Sequence, residues 1–202
     1  MKRKKVILLA AFALSISLAA CGNKEDEAVS TEVTEETAGT ETEEAEIVEA
    51  EVLPDGMYRS ELTNELISEE LKNQRPIAAM VDNESIALPH YGLSKADIVY
   101  EMMNSTMNGR ITRFMALYKD YESVDQIGSI RSVRPTNVIL SAEWNAILCH
   151  DGGPFYINEY IAEPSVNNFS GTFSRVDNGK SREYTEYILP GDMEKNFANS
   201  SV

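Results

Sequence analysis

Charge is distributed along this chain in a way that restricts which part of it can fold. Residues 22–56 carry thirteen acids and one base, Lys24, whereas residues 57–202 carry twenty acids and thirteen bases. The first stretch is rich in Glu and Thr and has no aromatic residue. A polymer of that kind cannot bury enough apolar surface to offset the entropy of ordering it. Its like charges extend it, away from an anionic membrane surface. It reads as a disordered linker over residues 21–56, with an acidic interaction or metal-binding tail as the alternative. The foldable material is then 146 residues, 57–202, about one domain. The formal charge of −15 resolves into +4 before residue 22, −12 in the linker and −7 beyond it. Neutralising phosphates needs a basic face, so no nucleic-acid partner is expected.

The N-terminal segment has the parts of a bacterial lipoprotein signal. Lys2, Arg3, Lys4 and Lys5 form a positive n-region, and Val6 to Ala20 is an uncharged apolar stretch of 15 residues. A transmembrane helix needs about 20. The stretch ends Leu18-Ala19-Ala20-Cys21, an aliphatic residue and two small ones before a cysteine, which is the lipobox pattern. Residues 1–20 are therefore expected to be removed as a signal peptide. Cys21 becomes the N-terminus and carries diacylglycerol on its thiol. Two acyl chains meet the requirement for stable anchoring. The expected location is the cell membrane, lipid-anchored on the extracytoplasmic face. Cys149 is then the one thiol left, so no intrachain disulfide can form.

From Met57 on, apolar runs alternate with turn signals. Ser68-Glu69-Glu70-Leu71 reads as a short capped helix, with serine as N-cap and acids in the first turn. Strands are expected at Ile77–Val81, Asp97–Met103, Ile111–Tyr118, Gln126–Arg131 and Ala146–His150, with a weaker one at Thr172–Val176. Helices are expected at Pro135–Trp144, Phe155–Glu163 and Gly191–Ala198. Strands apolar on both faces and interleaved with helices predict an α/β fold: a mixed sheet with helices packed on both faces.

Gly128-Ser129-Ile130-Arg131-Ser132-Val133-Arg134-Pro135 places two arginines and a serine at the start of a predicted helix. Unpaired N–H groups and guanidinium groups together make a receptor for an anion or carboxylate. The alternative is that Ser132 only caps and the arginines pair with the chain's own acids. Glu101 and Arg113 lie in apolar strands, where a charge is costly unless paired. An internal ion pair is the expectation for Glu101. Asp82-Asn83 and His150-Asp151-Gly152-Gly153 both follow apolar strands. If those strands run parallel, the two groups converge at their carboxyl ends, where ligands gather in open sheets. Cys149-His150-Asp151 is not read as a triad, because neighbours on a strand point to opposite faces. The two histidines and two cysteines have no metal-ligand spacing, and neither a metal nor a cofactor is expected.

Several blocks taken in order resemble the YerB-like lipoprotein domain, a family of unknown biochemical function. They are Arg75-Pro76-Ile77-Ala78-Ala79-Met80-Val81-Asp82-Asn83, then Gly92 to Glu101, then Ile111-Thr112-Arg113-Phe114, then Ile127 to Arg134. His150-Asp151-Gly152-Gly153 resembles the family's His-x-Gly-Gly turn. The resemblance covers roughly residues 57–190. It implies a Firmicute-type cell-surface lipoprotein with a mixed α/β domain over 57–202. It also implies a C-terminal domain that this chain lacks, so the chain reads as truncated. The family commonly carries a histidine near Arg182 to Tyr187, and this segment has none.

Three functions follow as expectations. The first is a binding module for an anionic envelope component, such as peptidoglycan, or for an envelope protein partner. Its ligand-binding candidates are Asp82, Asn83, Arg113, Arg131, Ser132, Arg134, His150, Gly152 and Gly153. The second is a cell-envelope hydrolase using His150 with Asp82 or Glu101 as acid or base. The third is an inactive truncated remnant. Binding is favoured because no activated nucleophile or metal set can be named.

Overall fold

The apolar run from Ile77 to Val81 becomes the middle strand of a five-stranded sheet. The computed structural model describes residues 52–107 and 109–200. Its elements, in chain order, are β1 (Met57–Arg59), β2 (Leu66–Ser68), β3 (Ile77–Asp82), β4 (Ile98–Met103), β5 (Thr112–Tyr118), β6 (Ile127–Gly128), α1 (Pro135–Glu143), β7 (Ile147–His150), α2 (Asn158–Ile161), β8 (Asn168–Ser170), β9 (Ser174–Arg175), β10 (Glu186–Ile188) and α3 (Asp192–Ala198). The expected signal peptide over 1–20, the lipidated Cys21 and the linker up to Glu51 lie outside the described residues.

The main sheet has the order β4-β5-β3-β7-β8 and is mixed. β3 runs antiparallel to β5 and parallel to β7, and β7 runs parallel to β8. Because side chains alternate across a strand, β3 feeds two separate cores. Ile77, Ala79 and Val81 pack with Ala116, Tyr118, Ile147, Cys149 and Phe169 on one face. Ala78 and Met80 pack with Met115, Leu117, Leu148 and Val138 of α1 on the other. α1 therefore covers one face. The other face is closed by loop residues such as Ile130, by Ile127 and Ile188 of a small β6-β10-β9 sheet, and by Met193 of α3. The fold is a mixed α/β arrangement with few helices, less helical than the sequence pattern predicts.

Several elements are shorter than expected. Gln126–Arg131 yields only the two-residue β6, and Thr172–Val176 only β9. Phe155–Glu163 is a 3-10 turn, Phe155–Ile157, followed by the single turn of α2. Ser68 does cap a short 3-10 turn, Glu69–Leu71, its hydroxyl accepting from Glu70 N. β4 is an edge strand with an alternating burial pattern, not one buried on both sides. A β1–β2 hairpin, unanticipated in the sequence, is tied to the end of β5 by Lys119. That buried ammonium donates to Glu61 and to Gln74 O, under the ring of Tyr58.

One backbone position has a strict requirement. Gly128 has φ +136°, and a Cβ there would meet Ile130 N at 2.9 Å and Tyr187 Cδ1 at 3.0 Å. Gly128→Ala is therefore expected to destabilise the fold by about 1–3 kcal/mol. Urea unfolding measures this, and an unchanged midpoint would contradict it.

Candidate functional site

The site is organised around one carboxylate. Asp82 ends β3 and is 0% exposed. Its Oδ2 lies 2.7 Å from Arg131 Nε and 3.5 Å from Arg113 Nη2, and its Oδ1 accepts from Glu84 N at 2.7 Å. Arg113 reaches it across the sheet, because β5 pairs Arg113 with Asp82 in register. Arg131 reaches it from a segment laid across the carboxyl ends of β3 and β7. Arg131 N donates to Met80 O at 2.9 Å, Asp151 N donates to Arg131 O at 3.0 Å, and Val133 N donates to Gly152 O at 3.1 Å. The chain thus fills its own crevice between parallel strands, a place where open sheets usually receive ligands.

Three arginines from this framework line a cleft of about 310 Å3, with Ser132, Asn104 and Tyr184 in its wall. Their partners differ. Arg131 Nη1 pairs with Glu183 Oε2 at 2.9 Å, and its guanidinium lies 4.8 Å from the Tyr184 ring centre. Burial works to lower the Arg131 pKa, but Asp82 and Glu183 outweigh it and the net shift is upward. Arg113 is 3% exposed. Its Nη1 donates to Asn104 Oδ1, Ser132 O and Ser132 Oγ at 2.7–2.9 Å. Its Nε has no hydrogen-bond partner. Burial lowers the Arg113 pKa to about 10, Asp82 opposing and the other two arginines adding to the fall. Arg134 donates to Asn104 O, Val133 O and Ser132 Oγ at 2.8–3.0 Å. Among the described residues no carboxylate lies within ion-pair range of it. Burial and the nearby Arg131 hold its pKa below the ordinary value.

Of the candidates read from the sequence, Arg113, Arg131, Ser132 and Arg134 meet at this cleft. Ser132 does not cap α1. Its hydroxyl accepts from two arginines, while Asn137 Oδ1 accepts from Arg134 N at 2.8 Å. Asp82 lies beneath the cleft, wholly buried, as the counter-ion. Asn83 donates to Thr112 Oγ1 at 2.9 Å and to Glu101 Oε1 at 3.2 Å, tying β3 to the outer strands. Glu101 is corrected: it is exposed on the edge strand and accepts from Thr112 Oγ1 at 2.7 Å, so the internal ion pair belongs to Arg113 and Asp82 instead. The alternation of β4 turns Glu101 away from the buried face.

His150 is also corrected. It is buried, with Nδ1 2.9 Å from Gly152 O and Nε2 3.2 Å from the Asn168 side chain. Burial lowers its pKa, so the ring is neutral and Nδ1–H donates to Gly152 O. Both nitrogens are thus taken, and the acid–base pairing with Asp82 or Glu101 is not formed. Gly152 has φ +69°, and a Cβ on Gly153 would sit 2.7 Å from Ile157 Cγ2, so these glycines shape the turn. Cys149 is buried against Met193, and burial pushes its thiol pKa well up. Among the described residues no group of His, Cys, Asp and Glu is arranged to hold a metal.

Asn104, Glu183 and Tyr184 were not foreseen as site residues. Glu183 and Tyr184 lie in the Arg182–Tyr187 segment, where the resembled family commonly has a histidine. That segment supplies one wall of the cleft.

The family described as "Protein of unknown function (DUF3048) N-terminal domain" matches residues 62–202. A Bacillus subtilis (strain 168) protein, YerB, which is named as a lipoprotein, is 36% identical over 94 residues, 46% of this chain and 27% of that protein. The crystal structure of YerB protein from Bacillus subtilis superposes with a TM-score of 0.63 at 26% identity, covering 70% of this chain and 49% of that one. The chain spans less than half the length of the relatives it matches.

Proposed function

Since this chain belongs to the DUF3048 N-terminal domain family, for which no activity is described, we propose from its geometry that the domain binds an anion presented in the cell envelope. The ligand is a carboxylate-bearing wall component or the acidic group of a protein partner. One observation carries this reading: Arg134 lines the cleft and, among the described residues, has no carboxylate partner. A guanidinium held in place and short of an anion is a ready receptor for a carboxylate or phosphate. The lipobox at Leu18–Cys21 and the lipoprotein name of the Bacillus relative support attachment through diacylglycerol on Cys21, at the extracytoplasmic face. Loss of palmitate labelling in Cys21→Ala checks that anchor, and labelling that survives removes it.

The binding reading is tested with acetate as a minimal carboxylate. A ligand that binds only the folded state raises Tm. Acetate is expected to raise the Tm of the full chain above chloride at equal ionic strength, and Arg134→Gln to abolish the difference. An acetate response that persists in Arg134→Gln, or none in the parent chain, overturns the reading. Arg131→Glu is not a usable test, because Arg131 is the closer partner of the buried Asp82.

A further inference from the structure

Arg134 lines a second cavity besides the arginine cleft. This one is about 510 Å3 and is bounded by Met103, Met107, Pro135, Thr136 and Tyr156. The two cavities adjoin at Arg134, Asn104 and Ser105 to make one groove, its first end lined by three arginines with Glu84 and Glu183, its second by Met103, Met107 and Tyr156. The apolar end is open. Met107 is 73% exposed, and Met103 and Tyr156 are exposed beside it.

We propose that this groove receives the C-terminal end of an extended peptide, its terminal carboxylate at Arg134 and its apolar side chains on the Met103–Met107–Tyr156 shelf. The proposal rests on the anion-binding reading above and names its ligand class. Charge complementarity sets the polarity, since Arg113, Arg131 and Arg134 all line the first cavity, whereas among the described residues Arg134 alone brings a charge to the second. The shelf fits apolar side chains of varied shape, because methionine is flexible and polarisable. The walls between carry Asn104, Ser105, Thr106 and Thr136. Asn104 Oδ1 and Ser105 Oγ already accept from Arg113 and Met107 N, and the Thr106 and Thr136 hydroxyls can bond peptide amides, which an acyl chain does not offer. The groove also begins where the edge strand β4 ends, at Met103. Among the described residues no strand covers that edge, so an extended peptide can continue the ladder while its end reaches Arg134.

The test uses the full chain and a fluorescein-labelled pool of tetrapeptides built from Ala, Leu, Met and Phe, with free C-terminal carboxylates, read by fluorescence polarisation. The same pool with C-terminal amides is expected to bind about tenfold more weakly, the loss of one charge-assisted contact. Met107→Ala and Tyr156→Ala are each expected to weaken peptide binding about fivefold through lost apolar contact. Both side chains are exposed, so folding tolerates the changes, and the acetate response of each variant should stay as in the parent. Equal binding of acid and amide pools, or unchanged peptide affinity in both variants, overturns the proposal. So does displacement of bound peptide by phosphatidylglycerol vesicles but not by unlabelled peptide. A peptide pool that binds no better than acetate overturns this inference and leaves the anion reading standing. Loss of the acetate response as well overturns both.

Discussion

Asp82→Ala lowers the unfolding free energy of the domain by about 3–5 kcal/mol, the cost of removing one partner from a buried charge cluster. Asp82 is wholly buried and holds Arg131 Nε at 2.7 Å and Arg113 Nη2 at 3.5 Å. Without it, Arg113 has no carboxylate in range among the described residues, and it is too buried for water to replace one. The net worth of such a cluster against an all-apolar core can be small, while the cost of breaking it is large. Asp82→Asn separates shape from charge. The amide oxygen can still accept from Glu84 N, so this variant is expected to lose roughly half as much, near the 1.5–3 kcal/mol of a hydrogen bond to a charged group. Urea unfolding followed by circular dichroism, with an unchanged m-value, measures both losses. A loss under about 1 kcal/mol in Asp82→Ala would show that the arginines are held by Ser132, Asn104 and Glu183 alone.

The parts of this fold legible in the sequence are those where burial is nearly complete. β3, β5 and β7 are apolar on both faces because two cores meet across them, and they read as runs without alternation. β4 was legible as a strand but not as an edge, since Ile98-Val99-Tyr100 gives no hint that every second residue is exposed. The β1–β2 hairpin and β10 were not legible. Three residues cannot establish a period, and β10 opens on a buried glutamate, Glu186, that pattern reasoning assigns to a surface. The helix expected over Phe155–Glu163 fails because its apolar residues divide. Ile157 packs inward, while Phe155 and Tyr156 stay exposed.

The arginine motif was legible as chemistry before its partners were. Gly128 to Pro135 advertises cations at a helix start, and two of them do line a cleft. The counter-ion of Arg131 is 49 residues away in sequence, and only the β3–β5 register brings Arg113 to the same carboxylate. His150 misled because a histidine after a strand suggests an active group. The same position also suits a neutral ring bridging a turn carbonyl and the next strand, as Gly152 and Asn168 show. Tyr184 left one signal, an aromatic beside an acid in the segment where the resembled family commonly has a histidine.

The second large effect concerns pH, at a carboxyl pair outside the cleft, one buried and one partly exposed. Glu186 is 0% exposed, and Arg175 Nη2 bridges it at 2.5 Å to Asp151 at 2.9 Å. Burial raises the Glu186 pKa to about 7, helped by the hydrogen bond with Asp151 and its charge, and opposed by Phe173 N–H and Arg175. Burial also works to raise the Asp151 pKa, but Glu186, Arg175 and Arg182 outweigh it and hold it low. Between the ordinary glutamate value of about 4.3 and about 7, the folded chain keeps a proton that the unfolded chain has released. Stability contributed by Glu186 is therefore full below that window and is lost as pH rises through it. Asp151 has the opposite sign, its contribution being lost only as pH falls below its ordinary range. Tm is expected to be lower at pH 8 than at pH 5, by about 2–4 °C for each kcal/mol in a chain of this size. Glu186→Gln cannot titrate and flattens this dependence. Asp151→Asn removes the facing negative charge and flattens it in part. A slope between pH 5 and pH 8 that is the same in Glu186→Gln as in the parent would place the proton elsewhere.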